Sequence, residues 1–111
     1  GRVQAPVLGI TRVPQPDYYR RLWGVEGVIV MDVVAGTDPA RLGTRGLSRS
    51  QRGRIQLGDV IIGIDDMTVS NEDEYAEIME QRRPGDVVKV LTRRDNQTLE
   101  YEVELQAPPS R

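Results

Sequence analysis

Few residue types in this chain could carry catalytic chemistry. Its 111 residues include no histidine and no cysteine, so the candidates are carboxylates, arginines, serines and a single lysine. Histidine is the usual general base, the usual zinc ligand and the middle member of a Ser-His-Asp triad. Cysteine supplies disulfides, thiolate ligands and nucleophiles. We therefore predict that the chain is not an enzyme by itself and that it binds no cofactor.

The carboxylates with the closest spacing are Asp59, Asp65 and Asp66. Calcium loops place oxygen ligands at alternate positions, as in D-x-[DN]-x-[DN]-G, and this spacing is absent. Because Asp is common in turns, we interpret these residues as turn residues and predict no metal site. A serine nucleophile would need a base, and the one lysine, Lys89, lies on a predicted strand. The serines concerned are Ser48, Ser50, Ser70 and Ser110.

Arginines are concentrated between residues 41 and 54. They could bind phosphates or an acidic partner, but no aromatic residues stand among them to stack on bases. The 15 basic and 17 acidic residues give a net charge of −2, which also argues against nucleic acid. We predict an exposed loop at 44–54; if it binds a partner, a neighbouring domain of the same polypeptide is the first candidate. The arginines are Arg41, Arg45, Arg49, Arg52 and Arg54.

Three aromatic residues, Tyr18, Tyr19 and Trp23, lie close together in the sequence. Tyr and Trp dominate interface hot spots, so the group could be an exposed anchor for a partner. It could equally be a lid that folds back over the core. The sequence leaves both alternatives open.

The order of predicted elements indicates an α+β fold. The β-branched run at 27–34 predicts a buried central strand, and the last strand alternates apolar and acidic residues. The pattern gives a small, partly open β-barrel of five to six strands. The strands are predicted at 7–13, 27–34, 60–64, 67–69, 86–93 and 98–105.

Two helices are predicted to cap this barrel. Thr37-Asp38-Pro39 is a typical helix start, and the short helix that follows should end at Gly43. Ser70-Asn-Glu-Asp73 resembles a capping box and predicts a three-turn helix over 71–83. One stripe of that helix carries Tyr75, Ile78, Met79 and Arg82. Residues 17–26 are predicted to be a loop with one helical turn.

The stretch PVLGIT, residues 6–11, places a glycine inside an apolar run. Glycine weakens strands but permits turns in which consecutive backbone N–H groups converge on an anion. Leu8, Gly9 and Ile10 offer such a set of donors. An extended peptide could then add to the following strand, with its carboxylate at these donors and its last side chain against the 71–83 helix.

The chain resembles the PDZ domains of HtrA/Deg serine proteases. Val7-Leu8-Gly9-Ile10 resembles their x-Φ-G-Φ carboxylate-binding loop, whose N-terminal position is the circularly permuted HtrA arrangement. GVIVMDVVAGTDPARLG is similar to G-x-x-V-x-x-V-x-x-x-S-P-A-x-x-A-G-L. LGDVIIGIDDMTVSN resembles G-D-x-I-x-x-[IV]-[ND]-G-x-x-[VI]-x-[SN]. EYAEIMEQRRPGDVVKVLTRRDNQTLEYEVEL resembles the groove helix and the final hairpin.

This resemblance implies a set of binding residues. The N–H groups of Leu8, Gly9 and Ile10 would hold a ligand carboxylate, and the strand containing Thr11 and Arg12 would pair with the peptide backbone. The peptide groove would be lined by Thr11, Arg12, Tyr75, Ile78, Met79 and Arg82.

The resemblance also implies a domain division and a role. Residues 1–5 would be a linker from a preceding domain, 6–106 the PDZ domain and 107–111 a C-terminal tail. The domain would recognise C-termini of unfolded or misassembled proteins and regulate a separate protease domain in an extracytoplasmic compartment, namely the periplasm, cell envelope or an organelle lumen. The alternative is an interaction domain with an occluded groove that docks to the protease domain or to oligomer partners. Nucleic-acid binding and membrane insertion are not expected.

Overall fold

The computed structural model describes residues 5–109, so residues 1–4 of the predicted linker, and Ser110 and Arg111 of the predicted tail, lie outside the described residues. Within this range no helix is long and apolar enough to cross a membrane. The elements, in chain order, are β1 (Ile10–Arg12), α1 (Pro16–Trp23), β2 (Val28–Val33), α2 (Asp38–Arg41), β3 (Ser48–Arg49), β4 (Ile55–Gln56), β5 (Val60–Ile64), β6 (Met67–Thr68), α3 (Glu72–Glu80), β7 (Val87–Arg94) and β8 (Gln97–Glu104).

The main sheet is antiparallel and open. Its order is β1-β2-β5-β7-β8, with β6 paired to β5, while β3 and β4 form a separate hairpin. The α+β class is confirmed. Where the sequence predicts a partly open barrel, the structure has a six-stranded sheet that stays open. One isolated bridge, between Val7 and Gln106, ties the chain before β1 to the chain after β8.

Two apolar clusters lie in the described chain. The larger one joins α3 to strands β2, β5, β7 and β8, and the smaller one joins Val13, Ile29 and Val60 to side chains that include Tyr19 and Trp23. Each fully buried Val, Leu or Ile contributes about 1.5–3 kcal/mol. The larger cluster contains Leu8, Val28, Val30, Ile61, Ile64, Val69, Tyr75, Ile78, Met79, Val88, Val90, Val103 and Leu105. It therefore fixes α3 relative to the sheet.

Residues 17–26 hold a third helix that the sequence analysis missed. Helix α1 begins with Pro16, carries Asp17 in its first turn and is capped by Gly24 in the left-handed conformation (φ +64°). Proline at the first position and glycine just after the last are the usual helix boundaries. Tyr19 stacks on Trp23 one turn later, with 5.3 Å between ring centroids. The predicted loop at 44–54 likewise contains β3 and reaches β4, which pair with each other.

Helix α3 is shorter than the predicted 71–83 helix, because its caps lie inside that range. The Asn71 side chain accepts a hydrogen bond from the Glu74 N–H (2.9 Å), and the Glu74 side chain accepts one from the Ser70 N–H (2.7 Å). The capping partner is thus Glu74, and the prediction of Asp73 is wrong. At the other end the helix stops at Glu80, with Gln81 as its cap.

Candidate functional site

The glycine turn before β1 is anchored on both sides. The Val7 N–H donates to the Gln106 carbonyl oxygen (2.8 Å), and the Gln106 N–H donates back (3.1 Å). Beyond the turn, the Val34 N–H donates to the Gly9 carbonyl oxygen (2.8 Å). Gly9 itself has φ +104°, a conformation that glycine adopts without a steric penalty. The turn is therefore held in one conformation by its neighbours.

Two backbone donors in this turn have no acceptor within residues 5–109. Neither the Leu8 N–H nor the Gly9 N–H donates to another backbone group in the described chain. Backbone N–H groups of folded proteins nearly always have an acceptor, so two adjacent N–H groups without a protein acceptor are unusual. Adjacent donors in a glycine-dependent turn are the usual frame of a small anion site.

A groove of about 190 Å³ lies between β1 and α3 and begins at this turn. The structure brings together three of the predicted groove residues, Arg12, Tyr75 and Met79, with Leu8 and Ile10. Ala76 and Glu80, which the sequence did not predict in the groove, follow Tyr75 and Met79 directly and lie on the same side of the helix. The complete lining is Ala5, Pro6, Val7, Leu8, Ile10, Arg12, Tyr75, Ala76, Met79 and Glu80.

The other three predicted groove residues lie elsewhere. The Thr11 hydroxyl accepts a hydrogen bond from the Asp32 N–H (3.1 Å), on the β2 side of β1. Ile78 is buried and borders a different depression with Met67 and Thr68. The Arg82 guanidinium pairs with Asp65 (Nη2 to Oδ2 3.0 Å). The predicted helical stripe contains both Ile78 and Arg82, but α3 ends at Glu80, so Arg82 lies beyond the helix. For Ile78, helical spacing predicts burial but does not separate the groove side from the β6 side.

Arg12 reaches across the groove to α3. Its guanidinium carbon lies 5.5 Å from the centroid of the Tyr75 ring, which is within cation–π distance. The pairing register of β1 shifts between Thr11 and Arg12, and such bulges change the direction of a side chain. No carboxylate in the described chain pairs with Arg12. Arg12 therefore places one exposed positive charge, without a carboxylate partner in the described chain, in the wall of the groove.

We predict that Tyr75 makes stability fall above about pH 10. Burial raises its pKa from the ordinary value of 10.0 to about 12, against a smaller opposing effect of Arg12. A raised pKa in the folded state means that the stabilisation is complete below pH 10 and is lost as pH rises toward 12. Two pKa units correspond to about 2.7 kcal/mol in the free energy of unfolding.

Chemical denaturation of wild type and Tyr75→Phe between about pH 8 and 12 measures this effect. The difference between their unfolding free energies should be constant below pH 10 and should shift in favour of Tyr75→Phe above it. If the unfolding free energies of the two proteins instead changed in parallel from about pH 8 to 12, Tyr75 would not be the cause of the loss of stability.

The acidic residues considered for metal binding are engaged in ion pairs. Asp59 pairs with Arg94, Asp65 with Arg82 and Asp66 with Lys89, as seen in their N to O distances of 2.6, 3.0 and 2.7 Å. Across the described residues, no three or more Asp or Glu side chains converge as metal ligands.

The aromatic residues of α1 divide between two roles. Tyr19 and Trp23 pack against the smaller apolar cluster and so cover that side of the sheet. Tyr18 remains exposed, although its ring meets Tyr19 edge-on with centroids 5.1 Å apart. The lid alternative therefore describes Tyr19 and Trp23, which are partly buried, and Tyr18 is the most exposed of the three.

An open sheet whose edge strand faces a helix across a groove is the architecture of a PDZ domain. A family model described as PDZ domain matches residues 6–105. The chain belongs to the PDZ domain family.

Known relatives extend the comparison to proteases. The chain is 32% identical over 109 residues to Protease Do-like 1, chloroplastic, of Arabidopsis thaliana, covering 98% of this chain and 24% of that protein. It is 32% identical over 84 residues to Protease Do-like 8, chloroplastic, of the same organism, and this match covers 76% of this chain and 19% of that protein. The chain thus spans a quarter or less of the length of these relatives.

Among solved structures, the fold is similar to that of the HtrA-type protease AlgW with decapeptide. The TM-score is 0.70 at 21% identity, and the match covers 96% of this chain and 30% of that chain. Together with the Do-like relatives, this match confirms the resemblance to PDZ domains of the HtrA/Deg type.

Proposed function

We propose that this domain binds the C-terminal carboxylate of extended, apolar peptides by strand addition to β1. The observation that carries the proposal is the pair of unaccepted N–H groups of Leu8 and Gly9 at the end of the β1–α3 groove. The Ile10 N–H is proposed as a third donor. A peptide that pairs with β1 would place its carboxylate at these donors and alternate side chains in the groove.

The chemistry of the groove supports an apolar last residue. Leu8, Ile10 and Met79 form apolar walls next to the turn, whereas the charged Arg12 and Glu80 also line the groove. Thr11 would pair with the peptide through its backbone in β1. Ile78 and Arg82 would support the groove indirectly, because Ile78 borders the β6 side and Arg82 pairs with Asp65. Such a peptide contacts only a few residues, so we expect a Kd near micromolar, about −8 kcal/mol.

The wider role concerns the longer protein. We place this domain in an HtrA/Deg-like serine protease, where peptide binding would regulate a separate protease domain through differential affinity for its states. Its ligands would be C-termini of unfolded or misassembled proteins. The chloroplastic Do-like relatives favour an organellar or otherwise extracytoplasmic compartment.

A second candidate function is docking with an occluded groove. Ala5 and Pro6 form part of the groove wall, and the Arg12 guanidinium lies over the Tyr75 ring at 5.5 Å, so both features would limit access to the groove. In that case the domain would contact its protease domain or oligomer partners through another surface.

Comparison of acid and amide ligands tests the proposal. A labelled decapeptide ending in an apolar residue should bind with a free carboxylate and bind about 30-fold or more weakly as the C-terminal amide. The factor follows from the loss of about 2 kcal/mol of charge-assisted hydrogen bonding. Fluorescence anisotropy of the labelled peptides measures both affinities.

The other outcomes discriminate between the candidates. Equal affinity of acid and amide would contradict the carboxylate site. Absence of binding by a library of peptides with apolar ends would instead favour the occluded groove. An internal control is the same peptide with its sequence scrambled except for the last residue.

A further inference from the structure

We call residues 44–58 the basic arm. Its arginines lie outside the groove. The arm contains Arg45, Arg49, Arg52 and Arg54 and no acidic residue, although the whole chain has 17 acidic and 15 basic residues. None of these four arginines lines the groove. The arm is therefore a concentrated positive segment of an otherwise acidic domain.

The charges of the arm are not neutralised within residues 5–109. No carboxylate of the described chain forms an ion pair with any of its four guanidinium groups, and Arg49 donates instead to the Gly53 carbonyl oxygen (3.1 Å). Outside the arm, Arg20, Arg41, Arg82 and Arg94 have carboxylate partners. Within residues 5–109, Arg12, Arg21, Arg83 and Arg93 have none, but these four are not clustered in one segment. The arm thus offers guanidinium groups that are available to another molecule.

The tip of the arm is an ordered hairpin. The Ser50 N–H donates to the Arg54 carbonyl oxygen (2.8 Å), and the Gly53 N–H donates to the Ser50 carbonyl oxygen (2.9 Å). The Ser50 hydroxyl accepts from the N–H groups of Arg52 (3.3 Å) and Arg54 (3.2 Å). This network fixes the backbone that carries the arginines.

The base of the arm is fixed as well. The Asp59 N–H donates to the Arg45 carbonyl oxygen (2.8 Å), and the Asp59 carboxylate accepts from the Arg45 N–H (3.2 Å). Gly46 and Gly58 pack so closely that a side chain on Gly46 would overlap the Met31 carbonyl and one on Gly58 would overlap Gly46. A partner would therefore meet a preorganised surface, which reduces the entropic cost of binding.

The composition of this surface favours protein carboxylates over phosphates. Ile55 is 42% exposed and is the cross-strand partner of Arg49, so an apolar side chain lies beside a guanidinium. Arginine next to exposed apolar surface is typical of protein interfaces. No aromatic residue in the arm could stack on bases. The planar guanidinium forms two parallel hydrogen bonds with carboxylates and with phosphates alike, so the apolar neighbour and the lack of aromatic residues decide in favour of carboxylates.

We infer that the basic arm is a second docking surface, which binds a partner protein through a cluster of Asp and Glu side chains. This surface does not depend on the proposed peptide groove. Its occupant would contact the arginines of the hairpin tip through carboxylates and Ile55 through an apolar residue.

A C-terminally amidated, labelled peptide rich in Asp and Glu with interspersed Leu tests the inference, because the amide removes the carboxylate required by the groove. Wild type should bind it with an affinity that falls as salt is raised. The triple variant Arg49→Gln/Arg52→Gln/Arg54→Gln should bind about tenfold or more weakly, from three exposed ion pairs.

The matched control is Arg21→Gln/Arg83→Gln/Arg93→Gln, which removes the same charge from exposed positions outside the arm. It should change the affinity less than about threefold, and thermal unfolding should show both variants folded. Equal losses in the two variants, no binding by wild type, or tighter binding of a single-stranded oligonucleotide than of the acidic peptide would each overturn the inference. Failure of the groove proposal would leave this result unaffected.

Discussion

Replacing Gly9 with valine should abolish binding of peptides with a free C-terminal carboxylate. Gly9 has φ +104°, which side-chain-bearing residues rarely adopt, and a Cβ there would lie 2.7 Å from both Cβ and Oγ1 of Thr37. The turn must therefore move away from Thr37, and the N–H groups of Leu8 and Gly9 lose their alignment. We expect an affinity loss of about 100-fold or more, equivalent to about 2.7 kcal/mol, measured by anisotropy.

The control for backbone strain is Gly85→Val. Gly85 has a similar φ of +96°, but a Cβ there would have no atom within 4 Å, and the residue lies outside the groove. Both variants should lose about 1–3 kcal/mol of unfolding free energy from strain, with a further loss in Gly9→Val from the contact with Thr37. Only Gly9→Val should lose peptide binding. Retention of wild-type affinity by folded Gly9→Val would show that the turn does not hold the carboxylate.

The need for glycine at position 9 is visible in the sequence, but its packing partner is not. A glycine in an apolar run predicts a special turn, which the positive φ of Gly9 confirms. Thr37 is far away in the sequence, where the helix start at 37–39 predicts Thr37 or Asp38 as the N-cap. Thr37 is the N-cap of α2, but its hydroxyl makes no capping hydrogen bond. The hydroxyl donates to the Val34 carbonyl oxygen (2.7 Å), and its side chain packs against Gly9. Contacts between distant segments depend on the assembled sheet and carry no local signal.

The α3 helix illustrates the same limit within one element. Its period identifies Tyr75, Ile78 and Met79 as inward-facing, and all three are buried. Periodicity reports burial, however, and does not say which neighbour each side chain contacts. Only the position of β1 and β6 on either side of the helix separates Met79, in the groove, from Ile78, which borders the β6 side.

Helix α1 was missed for a different reason. Pro16 and Gly24 are suitable boundaries, but the segment between them is rich in arginine and tyrosine and contains no buried residue. Its stability comes from partial burial of Tyr19 and Trp23 over the smaller cluster. The sequence signal lies both in the boundaries and in Tyr18, Tyr19, Leu22 and Trp23, which recur at helical spacing. The segment is only eight residues long, so this pattern spans barely two turns and is easily interpreted as a loop.

Asp59→Asn should cause the largest loss of stability among single changes of charge in the described chain. Asp59 is 0% exposed, and its Oδ1 and Oδ2 accept from Arg94 Nε (2.6 Å) and Nη2 (3.0 Å). Arg94 also donates to the Gly43 carbonyl oxygen (2.7 Å), so one ion pair joins β5, β7 and the chain after α2. Because Arg94 stays partly solvated when its partner is lost, we expect a loss of about 1–3 kcal/mol in the free energy of unfolding, which urea denaturation would measure.

The comparison with Asp66→Asn shows why burial decides the size of this effect. Asp66 pairs with Lys89 at a similar distance of 2.7 Å, but its side chain is 82% exposed, so that pair contributes about 0–1 kcal/mol. The double variant Asp59→Leu/Arg94→Met should recover part of the loss, because no guanidinium is then left without its carboxylate. Recovery should be incomplete, since the Arg45 N–H loses its acceptor. A loss below about 1 kcal/mol in Asp59→Asn would mean that water replaces the missing charge and that the pair does not fix these segments.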